Sequence, residues 1–309
     1  MRVLRDHQYA QPEDRGASAA IGNFDGVHLG HQHVIDRARV NDLPLGILTF
    51  EPHPRQFFAP DAPPFRLMNA EAKAHRLQKL GVDILYELPF NAALSHLTAE
   101  EFARDVLADG LGLKRVIVGA DFCFGKGRTG NTDMLAEFGK RFGFEVDIVP
   151  ILHGELGAIS STNIRNALSD GRPRDAAAML GHWHRIEGMV VHGEKRGRQL
   201  GYPTANMNLD GLHLPKLGVY AVLVDVLDGP YAGHYHGVAS LGVRPMFNGD
   251  VPNLETFVFD FKGDLYGTDL SVALIDYLRP ELKFDGLDAL ITQMDADSDS
   301  ARTILKALA

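Results

Sequence analysis

The pattern of apolar residues changes once along this chain of 309 residues, near residue 182, and the change predicts two differently built domains. Before it, short apolar runs typical of strands alternate with amphipathic stretches typical of helices. The strand-like runs are residues 17–22, 45–50, 83–88, 115–119 and 145–149. The helical stretches between them are residues 29–39, 70–80, 99–108 and 132–142. This alternation predicts an α/β domain, residues 1–182, whose parallel sheet binds a ligand at the carboxyl ends of its strands.

After Trp183 the strand-like runs follow one another, with only Gly, Pro and Asp turns between them. They are residues 186–191, 204–207, 219–226, 233–241, 254–259 and 270–277. A series of short strands without intervening helices is typical of a small antiparallel β-barrel. A helical stretch, residues 287–308, follows the last strand. We therefore predict a second domain, residues 183–309, that consists of an antiparallel β-barrel and a terminal helix.

The composition narrows the classes of partner. The net charge is −9 and the isoelectric point is near 5.8, so we expect no nucleic-acid partner, which would select a basic surface. A nucleotide remains compatible, because it needs only a local cluster of hydrogen-bond donors. Cys123 is the only cysteine, so no intrachain disulfide can form. The first residues lack the apolar segment of a signal peptide and the apolar runs are too short to cross a bilayer, so we expect a cytoplasmic protein without a membrane partner.

The first group of residues suited to chemistry is the sequence GNFDGVHLGH at residues 22–31, between the first strand and the first helix. Glycines in such a turn let the backbone approach a phosphate group, and the helix N-terminus attracts its negative charge. His28 and His31 flank Gly30, and two imidazoles so placed can donate hydrogen bonds to phosphate oxygens during transfer. Two alternatives stay open. The pair could be surface histidines among the 14 of the chain, or half of a metal site, although no Glu or Cys accompanies it at a suitable spacing.

A second group lies at residues 159–165, with the sequence ISSTNIR. Ser160, Ser161 and Thr162 offer hydroxyl groups at the start of a helix that ends near residue 170, and Arg165 follows one turn later. Hydroxyl groups, free backbone N–H groups and a guanidinium group at a helix N-terminus together suit an anion. The alternative is an ordinary capped helix with an arginine that faces solvent.

A third group joins the first two strands of the predicted barrel, with the sequence GEKRGRQLGYPTAN at residues 193–206. Its first half is rich in glycine and basic residues, which suits a loop over a polyphosphate; the residues concerned are Gly193, Lys195, Gly197 and Arg198. Thr204 and Asn206 are two residues apart on an extended strand and therefore point to one face, where their oxygens suit Mg²⁺. The alternative for the glycine-rich half is a generic basic hairpin.

The motifs at residues 22–31 and 159–165, with FEPHP at residues 50–54 and GADFCFG at residues 119–125, give the first half a recognisable family pattern. It resembles the Rossmann-like nucleotidylyltransferases, and within them the FMN adenylyltransferase half of the bacterial bifunctional riboflavin kinase/FAD synthetases. The resemblance implies that His28 and His31 hold the ATP phosphates and stabilise the α-phosphoryl group in transfer. It also implies phosphate contacts from Ser161 and Arg165 and an FMN contact from Asp121. Further ATP contacts are expected at Gly22, Asn23, Asp25, Gly30, Ser160 and Thr162.

An aromatic-rich stretch near residue 58 offers a different hint about the flavin. Phe58 could provide a flat surface on which the ring system packs. Single phenylalanines are more often part of a core, and this alternative stays open.

The second half resembles riboflavin kinases. The resemblance rests on the segments 197–206, 218–222 (GVYAV), 242–245 (GVRP), 264–267 (DLYG) and 278–284 (LRPELKF). It implies that Glu255 is the general base that accepts the proton of the ribityl 5′-hydroxyl group, while Mg²⁺ and the glycine-rich loop hold the γ-phosphoryl group in line. Arg279 and Glu281, in the last of these segments, are expected to contact the flavin.

This sequence departs from the family pattern at a few positions. Ser240 replaces an Asn, Met246 replaces a Thr, and His182-Trp183-His184 replaces the usual Arg-Pro-Tyr. The whole resemblance implies an enzyme that makes FMN from riboflavin and ATP, then FAD from FMN and ATP with release of pyrophosphate, and that needs Mg²⁺ in both steps. The alternative is a flavin-binding sensor or carrier without catalysis. The presence of His28 and Glu255 counts against that alternative, since a carrier needs neither.

Overall fold

The structure, a computed structural model, describes residues 1–154, 157–192, 202–246 and 249–308. Contacts between these residues divide the chain into two compact units. The first unit consists of Met1–Pro63 and Lys73–Ile159, and the second consists of Pro64–Ala72 and Ser160–Ala309.

The first unit contains a parallel sheet of six strands among its described residues, in the order β1-β4-β3-β2-β5-β6. The strands are β1 (Arg2–Leu4), β2 (Ser18–Ile21), β3 (Leu45–Glu51), β4 (Ile84–Pro89), β5 (Arg115–Gly119) and β6 (Glu145–Val149). A short hairpin, β7 (His153–Gly154) and β8 (Gly157–Ala158), follows. The predicted parallel α/β fold is confirmed. The edge strand β1 was not predicted, because two of its three residues are exposed and it has no apolar run.

The helices of this part of the chain follow the strands in alternation. They are α1 (Leu29–Ala38), α2 (Pro54–Phe58), α3 (Ala70–Lys79), α4 (Ala92–His96), α5 (Ala99–Glu101) and α6 (Thr132–Phe142), with α5 continuing as a π-helical segment, Phe102–Gly110. Single 3₁₀ turns lie at His7–Tyr9, Pro12–Asp14 and Lys126–Arg128. The Thr98 hydroxyl and the Glu101 carboxylate form a capping box at the start of α5. The sequence did not predict α2 and α4, because five residues are too few to show a helical period.

The sheet of the first unit places the ends of its strands at one edge. The central strands β2 and β3 are almost wholly buried, as expected for parallel strands covered by helices on both faces. Since the strands are parallel, the segments that follow β2, β3 and β5 all begin at the carboxyl edge of the sheet. These segments contain GNFDGVHLGH, FEPHP and GADFCFG, so the motifs that suggested the family lie at the edge where α/β sheets bind ligands.

The second unit contains a sheet of six antiparallel strands in its described part, in the order β10-β13-β12-β11-β14-β9. Its elements are α7 (Ser161–Ser169), α8 (Pro173–Leu180), β9 (Arg185–Met189), β10 (Thr204–Asn208), β11 (Gly218–Val226), β12 (Gly233–Met246), β13 (Gly249–Val258), β14 (Asp269–Arg279) and α9 (Leu287–Lys306). The N–H group of Val191, just beyond β9, donates to the carbonyl oxygen of Asn206 at 2.8 Å, so the two end strands meet and the barrel is nearly closed. The predicted antiparallel barrel with a terminal helix is confirmed.

The helices α7 and α8 contact the barrel. The Lys216 N–H group donates to the Leu168 carbonyl oxygen at 3.0 Å, and Arg174 forms an ion pair with Asp276 on β14 at 2.8 Å. For this reason the two helices belong to the second unit. The division of function after residue 182 stays a prediction, because contacts alone do not measure which residues each reaction needs.

The second unit buries a histidine next to its only tryptophan. Trp183, the single Trp of the chain, packs against the apolar layer between the sheet and α9. The neighbouring His184 is only 4% exposed, and its carbonyl oxygen accepts a hydrogen bond from Leu274. Burial, followed by the charges of His182 and His213, lowers the pKa of His184 to about 3. The folded unit therefore keeps His184 neutral throughout the pH range in which the unfolded chain would protonate it.

We predict that acidification destabilises the second unit through His184. The unfolded chain binds a proton at His184 below its ordinary pKa of 6.5, whereas the folded chain binds it only near 3. The stability is therefore complete above pH 6.5 and falls as the pH drops from 6.5 towards 3, with a limiting slope of about 1.4 kcal/mol per pH unit from this group. Urea unfolding followed by Trp183 fluorescence between pH 7 and pH 5 measures that slope.

The matched variants are His184→Gln and His236→Gln, the latter at an exposed position on β12. The first should reduce the dependence of the unfolding free energy on pH, and the second should leave it as in the wild type. Equal slopes in all three proteins would show that His184 does not protonate on unfolding.

Candidate functional site

The turn between β2 and α1 has an unusual backbone that places two histidines together. Phe24, Gly26 and Val27 have φ angles of 51°, 86° and 44°, a region that residues other than glycine rarely adopt. Phe24 and Val27 are both buried, so packing holds the turn in this conformation. The turn then ends at His28, whose Nδ1 accepts a hydrogen bond from the His31 N–H group at 3.2 Å and caps α1.

The imidazole rings of His28 and His31 lie parallel to each other. Their centroids are 3.6 Å apart and the angle between their planes is 15°. Gly30 allows this arrangement, because a Cβ atom at that position would lie 3.2 Å from the His28 ring and 3.7 Å from the Ile159 carbonyl oxygen. Since Nδ1 of His28 accepts a hydrogen bond, the proton of the neutral ring resides on Nε2, which is therefore a donor. The structure thus brings together the two histidines that the sequence predicted as a pair.

His28 is 7% exposed, and His31 beside it is half-buried. Burial, the charge of His28 and the charge of Lys73, in that order, lower the pKa of His31 well below its ordinary value. The ring is therefore neutral at pH 7. Its Nδ1 is buried and has no hydrogen-bond partner within the described part of the chain. A buried nitrogen of this kind favours a bound group that can complete its hydrogen bonding.

A buried ammonium group that the sequence did not single out lies beside this turn. Lys73 on α3 is 1% exposed, and its Nζ donates to Glu51 Oε1 at 2.8 Å and to Thr49 Oγ1 at 3.2 Å. The Thr49 hydroxyl group in turn donates to the carbonyl oxygen of Asn23 at 3.2 Å. Lys73 was missed because a lysine in an amphipathic helix usually faces solvent.

The predicted flavin residues of the first unit follow β5 and β3. Asp121 is exposed two residues beyond β5, and its Oδ1 lies 3.0 Å from the position that a Cβ atom would take on Gly119. Phe58 at the end of α2 is 68% exposed, and its ring has edge contacts with Phe57 at 5.2 Å and Phe90 at 5.6 Å. Phe58 is therefore an exposed aromatic surface and not a core residue.

The segment of residues 160–165 lies in the second unit, at the start of α7. The Ser160 hydroxyl group accepts a hydrogen bond from the Asn163 N–H group at 3.2 Å and caps the helix, as predicted. Arg165 Nη2 donates to Thr162 Oγ1 at 3.2 Å, and the guanidinium group lies 5.8 Å from the centre of the Phe65 ring. The Arg165 guanidinium group therefore lies along α7, with its N–H groups near the N-terminus of that helix.

In the barrel, strand register brings together residues that are far apart in the sequence. Asn206 pairs with Glu255, Glu255 with Ser240, Ser240 with Val219, and Val219 with Arg279. Residues that pair directly across strands share one face of a sheet. One cross-strand row therefore contains Asn206, the predicted metal ligand, and Glu255, the predicted base. The same row contains Ser240, where the sequence departs from the family pattern, and Arg279, a predicted flavin contact.

The carboxylate of Glu255 is held by an amide that the sequence did not predict. Asn253 Nδ2 donates to Glu255 Oε1 at 3.1 Å and, more weakly, to Asn206 Oδ1 at 3.5 Å. Asn206 Nδ2 donates to the carbonyl oxygen of Thr204 at 3.2 Å. Asn253 precedes Glu255 by two residues and so shares its face, which is the signal by which it could have been found. Side-chain hydrogen bonds therefore connect Thr204 and Asn206 on β10 with Asn253 and Glu255 on β13.

A cavity of 280 Å³ opens beside this row. Its polar lining includes Thr204, Ser240, Glu255 and Glu281, and α9 contributes Leu290 and Met294 to the opposite wall. Arg279 also lines the cavity. Its guanidinium group forms a bidentate ion pair with Asp297 on α9, at 2.6 Å between Nη2 and Oδ2 and 2.9 Å between Nε and Oδ1. Of the predicted residues, Gly193, Lys195, Gly197 and Arg198 lie outside the described part of the chain.

No cluster of three or more His, Cys, Asp or Glu side chains suited to a metal ion occurs within the described ranges.

The fold and the two groups of polar residues define a class of protein. A glycine turn with paired imidazoles at the carboxyl edge of a parallel sheet suits phosphate groups, and a barrel with a carboxylate beside a cavity suits a small molecule; both features fit a transferase. A family model described as FAD synthetase matches residues 10–163, and one described as riboflavin kinase matches residues 180–305. The chain belongs to the family of bifunctional riboflavin kinase/FMN adenylyltransferases.

Individual relatives support this membership over nearly the full length. The bifunctional riboflavin kinase/FMN adenylyltransferase of Pseudomonas fluorescens is 42% identical, with 98% of each chain covered. That of Escherichia coli K12 is 38% identical over 98% of this chain and 97% of its own. A solved structure described as a macrolide-efflux protein from Streptococcus pneumoniae has a TM-score of 0.83, with 34% identity over 97% of this chain and 98% of its own. Within the described ranges, no helix is long and apolar enough to span a membrane.

We predict that Gly30→Ala disrupts the imidazole pair and slows FAD formation selectively. The new Cβ atom would press on the His28 ring, which must move, and a misplacement of this kind can lower a rate by roughly 10²-fold. Chromatography of products measures FAD made from supplied FMN and ATP, and FMN made from riboflavin and ATP. Gly188→Ala, at a position with open space for a Cβ atom, is the matched control and should retain both activities. Normal FAD formation by Gly30→Ala would contradict the role of the stacked pair.

Proposed function

We propose that riboflavin is phosphorylated by ATP at the barrel cavity beside Glu255, and that FMN is adenylylated by ATP at the turn that carries His28 and His31. The observation that supports this division is that each pair of central residues is brought together by the local structure of one unit. His28 and His31 meet through the cap of α1, and Asn206 and Glu255 meet through the pairing of β10 with β13.

The proposed phosphorylation begins with the 5′-hydroxyl group of riboflavin. Its oxygen attacks the γ-phosphorus of ATP, the Glu255 carboxylate accepts the hydroxyl proton, and ADP leaves. The Asn253 amide donates a hydrogen bond to one oxygen of the Glu255 carboxylate. This bond holds the carboxylate in the wall of the cavity. Arg279 and Glu281 are proposed to contact the flavin, and the Arg279–Asp297 ion pair holds the guanidinium group against α9.

We propose that Thr204 and Asn206 hold Mg²⁺ in this site. The donor set fits, because both residues offer oxygens on one face of β10 and the carboxylate of Glu255 pairs directly opposite Asn206. A bound Mg²⁺ ion would neutralise and orient the phosphate groups of ATP. In the basic loop, Gly193, Lys195, Gly197 and Arg198 are proposed to cover these phosphates.

The proposed adenylylation joins the phosphate group of FMN to the AMP part of ATP. A phosphate oxygen of FMN attacks the α-phosphorus, and pyrophosphate leaves. His28 Nε2 donates a hydrogen bond to a phosphate oxygen as negative charge develops on it. The neutral imidazole of His31 likewise donates a hydrogen bond to a phosphate oxygen. Gly22 and Gly30 leave room for the phosphates, and Asn23 and Asp25 shape the turn. Further proposed phosphate donors are Ser160, Ser161, Thr162 and Arg165, and the proposed FMN contacts are Asp121 and Phe58.

A sensor or carrier without catalysis would share the fold but not these side chains. Such a protein needs no carboxylate aligned with an amide across β10 and β13, and no stacked pair of histidines. We also propose a cytoplasmic location, which the composition with a single cysteine supports.

We predict that Glu255→Gln lowers the rate of riboflavin phosphorylation by roughly 10²–10⁴-fold, because the amide cannot accept the proton. FAD formation from supplied FMN should be unchanged, since Glu255 has no role at the His28–His31 turn. The control is Asp299→Asn, at an exposed position on α9, which should retain both activities. A Glu255→Gln protein with full kinase activity would show that another group accepts the proton.

We predict that Asn206→Ala raises the Mg²⁺ concentration needed for half-maximal riboflavin phosphorylation. The measurement is the initial rate of FMN formation over a titration of Mg²⁺ at fixed ATP. Asn208→Ala, two residues further along β10 at an exposed position, is the matched control and should titrate as the wild type. An equal loss of activity at every Mg²⁺ concentration would contradict a role for Asn206 as a metal ligand.

A further inference from the structure

The buried ammonium group of Lys73 requires an explanation beyond stability. Burying a charge costs several kcal/mol unless it is paired, and replacing such a pair by apolar residues is often neutral or stabilising. Lys73 is 1% exposed and its charge is compensated by Glu51 at the end of β3, with 2.8 Å between Nζ and Oε1. A fold that only needed an apolar contact between α3 and β3 would be served by a leucine or methionine.

The hydrogen bonds of this pair lead to the turn that carries the histidines. The Thr49 hydroxyl group accepts a hydrogen bond from Lys73 Nζ at 3.2 Å and donates to the Asn23 carbonyl oxygen at 3.2 Å. Thr49 is fully buried, so no water competes with either bond. The bonds therefore run in one direction, from α3 through β3 to the peptide group that precedes the strained residue Phe24.

The charge of Lys73 also acts on His31. His28 and Lys73 are the two ionisable groups whose charges lower the pKa of His31, in addition to burial. A positive charge at Lys73 therefore favours the neutral imidazole. If the charge is removed, one of the three causes is lost and the pKa of His31 rises towards its ordinary value.

We propose that Lys73, whose charge Glu51 compensates, is a positioning residue for adenylylation and acts through Thr49 on the turn that carries the two imidazoles. This inference rests on the proposed role of His28 and His31. It assigns to Lys73 no contact with the substrate. The ammonium group holds the peptide group of Asn23 in place and keeps a positive charge near His31.

Two variants separate the hydrogen bonds from the charge. Lys73→Met removes both, so kcat for FAD formation from FMN should fall by roughly 10–10²-fold, and the apparent pKa on the acid side of the kcat/KM profile should rise. Thr49→Val removes the link to Asn23 but leaves the charge, so kcat should fall without a change in that apparent pKa. Lys73→Arg retains the charge and should keep the pKa of the wild type. Lys79→Met, at an exposed position on the same helix, is the matched control for a lost lysine.

The outcomes distinguish this inference from the proposed function. Thermal unfolding followed by circular dichroism identifies any variant that does not fold, and if Lys73→Met is such a variant, Thr49→Val and Lys73→Arg decide. The inference would be overturned if Lys73→Met and Thr49→Val keep the rate and the pH profile of the wild type while His31→Ala loses FAD formation. That result would leave the proposed site intact. Normal FAD formation by a folded His31→Ala protein would overturn both. The expected combination is a lowered kcat in both variants, with a raised apparent pKa only where the charge is lost.

Discussion

The register of backbone hydrogen bonds is the constraint on which both groups of functional residues depend. In the barrel, pairing of β10 with β13 and of β13 with β12 sets Asn206, Glu255 and Ser240 in one row. Side chains alternate between the two faces of a strand, so a slip of one residue would turn Glu255 away from the cavity. In the parallel sheet, the common direction of the strands fixes where the turn with the histidines begins. In the barrel, strand pairing therefore assembles residues that no local sequence pattern connects, whereas His28 and His31 meet through the local cap of α1.

Two charged groups beside the proposed sites, the buried Lys73 and the half-buried Arg279, are each compensated by a carboxylate. Lys73 is paired with Glu51, and Arg279 with Asp297, where the bidentate geometry ties α9 to the barrel beside the cavity. His184 is buried without a charge, because its pKa of about 3 keeps it neutral. The turn before His28 has a strained backbone, which the packing of buried side chains holds in place.

The sequence predicted the strands well because apolar runs report burial directly. All five runs of the first half and all six of the second are strands, and the largest errors lie at β12 and β13, which extend beyond their apolar runs. The paired histidines and Glu255 were found because their motifs are specific in combination. Asn253 and Lys73 were missed for a physical reason: each resembles an ordinary surface residue until strand pairing or helix packing shows what it contacts. The periodicity of a single sequence shows which positions are buried. It does not show which residue a given side chain contacts in the folded protein.

The central claim is that one chain transfers two different parts of ATP at two sites. The most direct test supplies riboflavin and Mg²⁺ with ATP labelled either at the γ-phosphorus or at the α-phosphorus, and then separates FMN, FAD and pyrophosphate. The account predicts that the γ-label appears in FMN, is retained in FAD and also leaves in pyrophosphate, and that of these three products only FAD carries the α-label. An α-label in FMN, or FAD that lacks the α-label, would contradict the assignment of phosphoryl transfer and adenylyl transfer to separate steps.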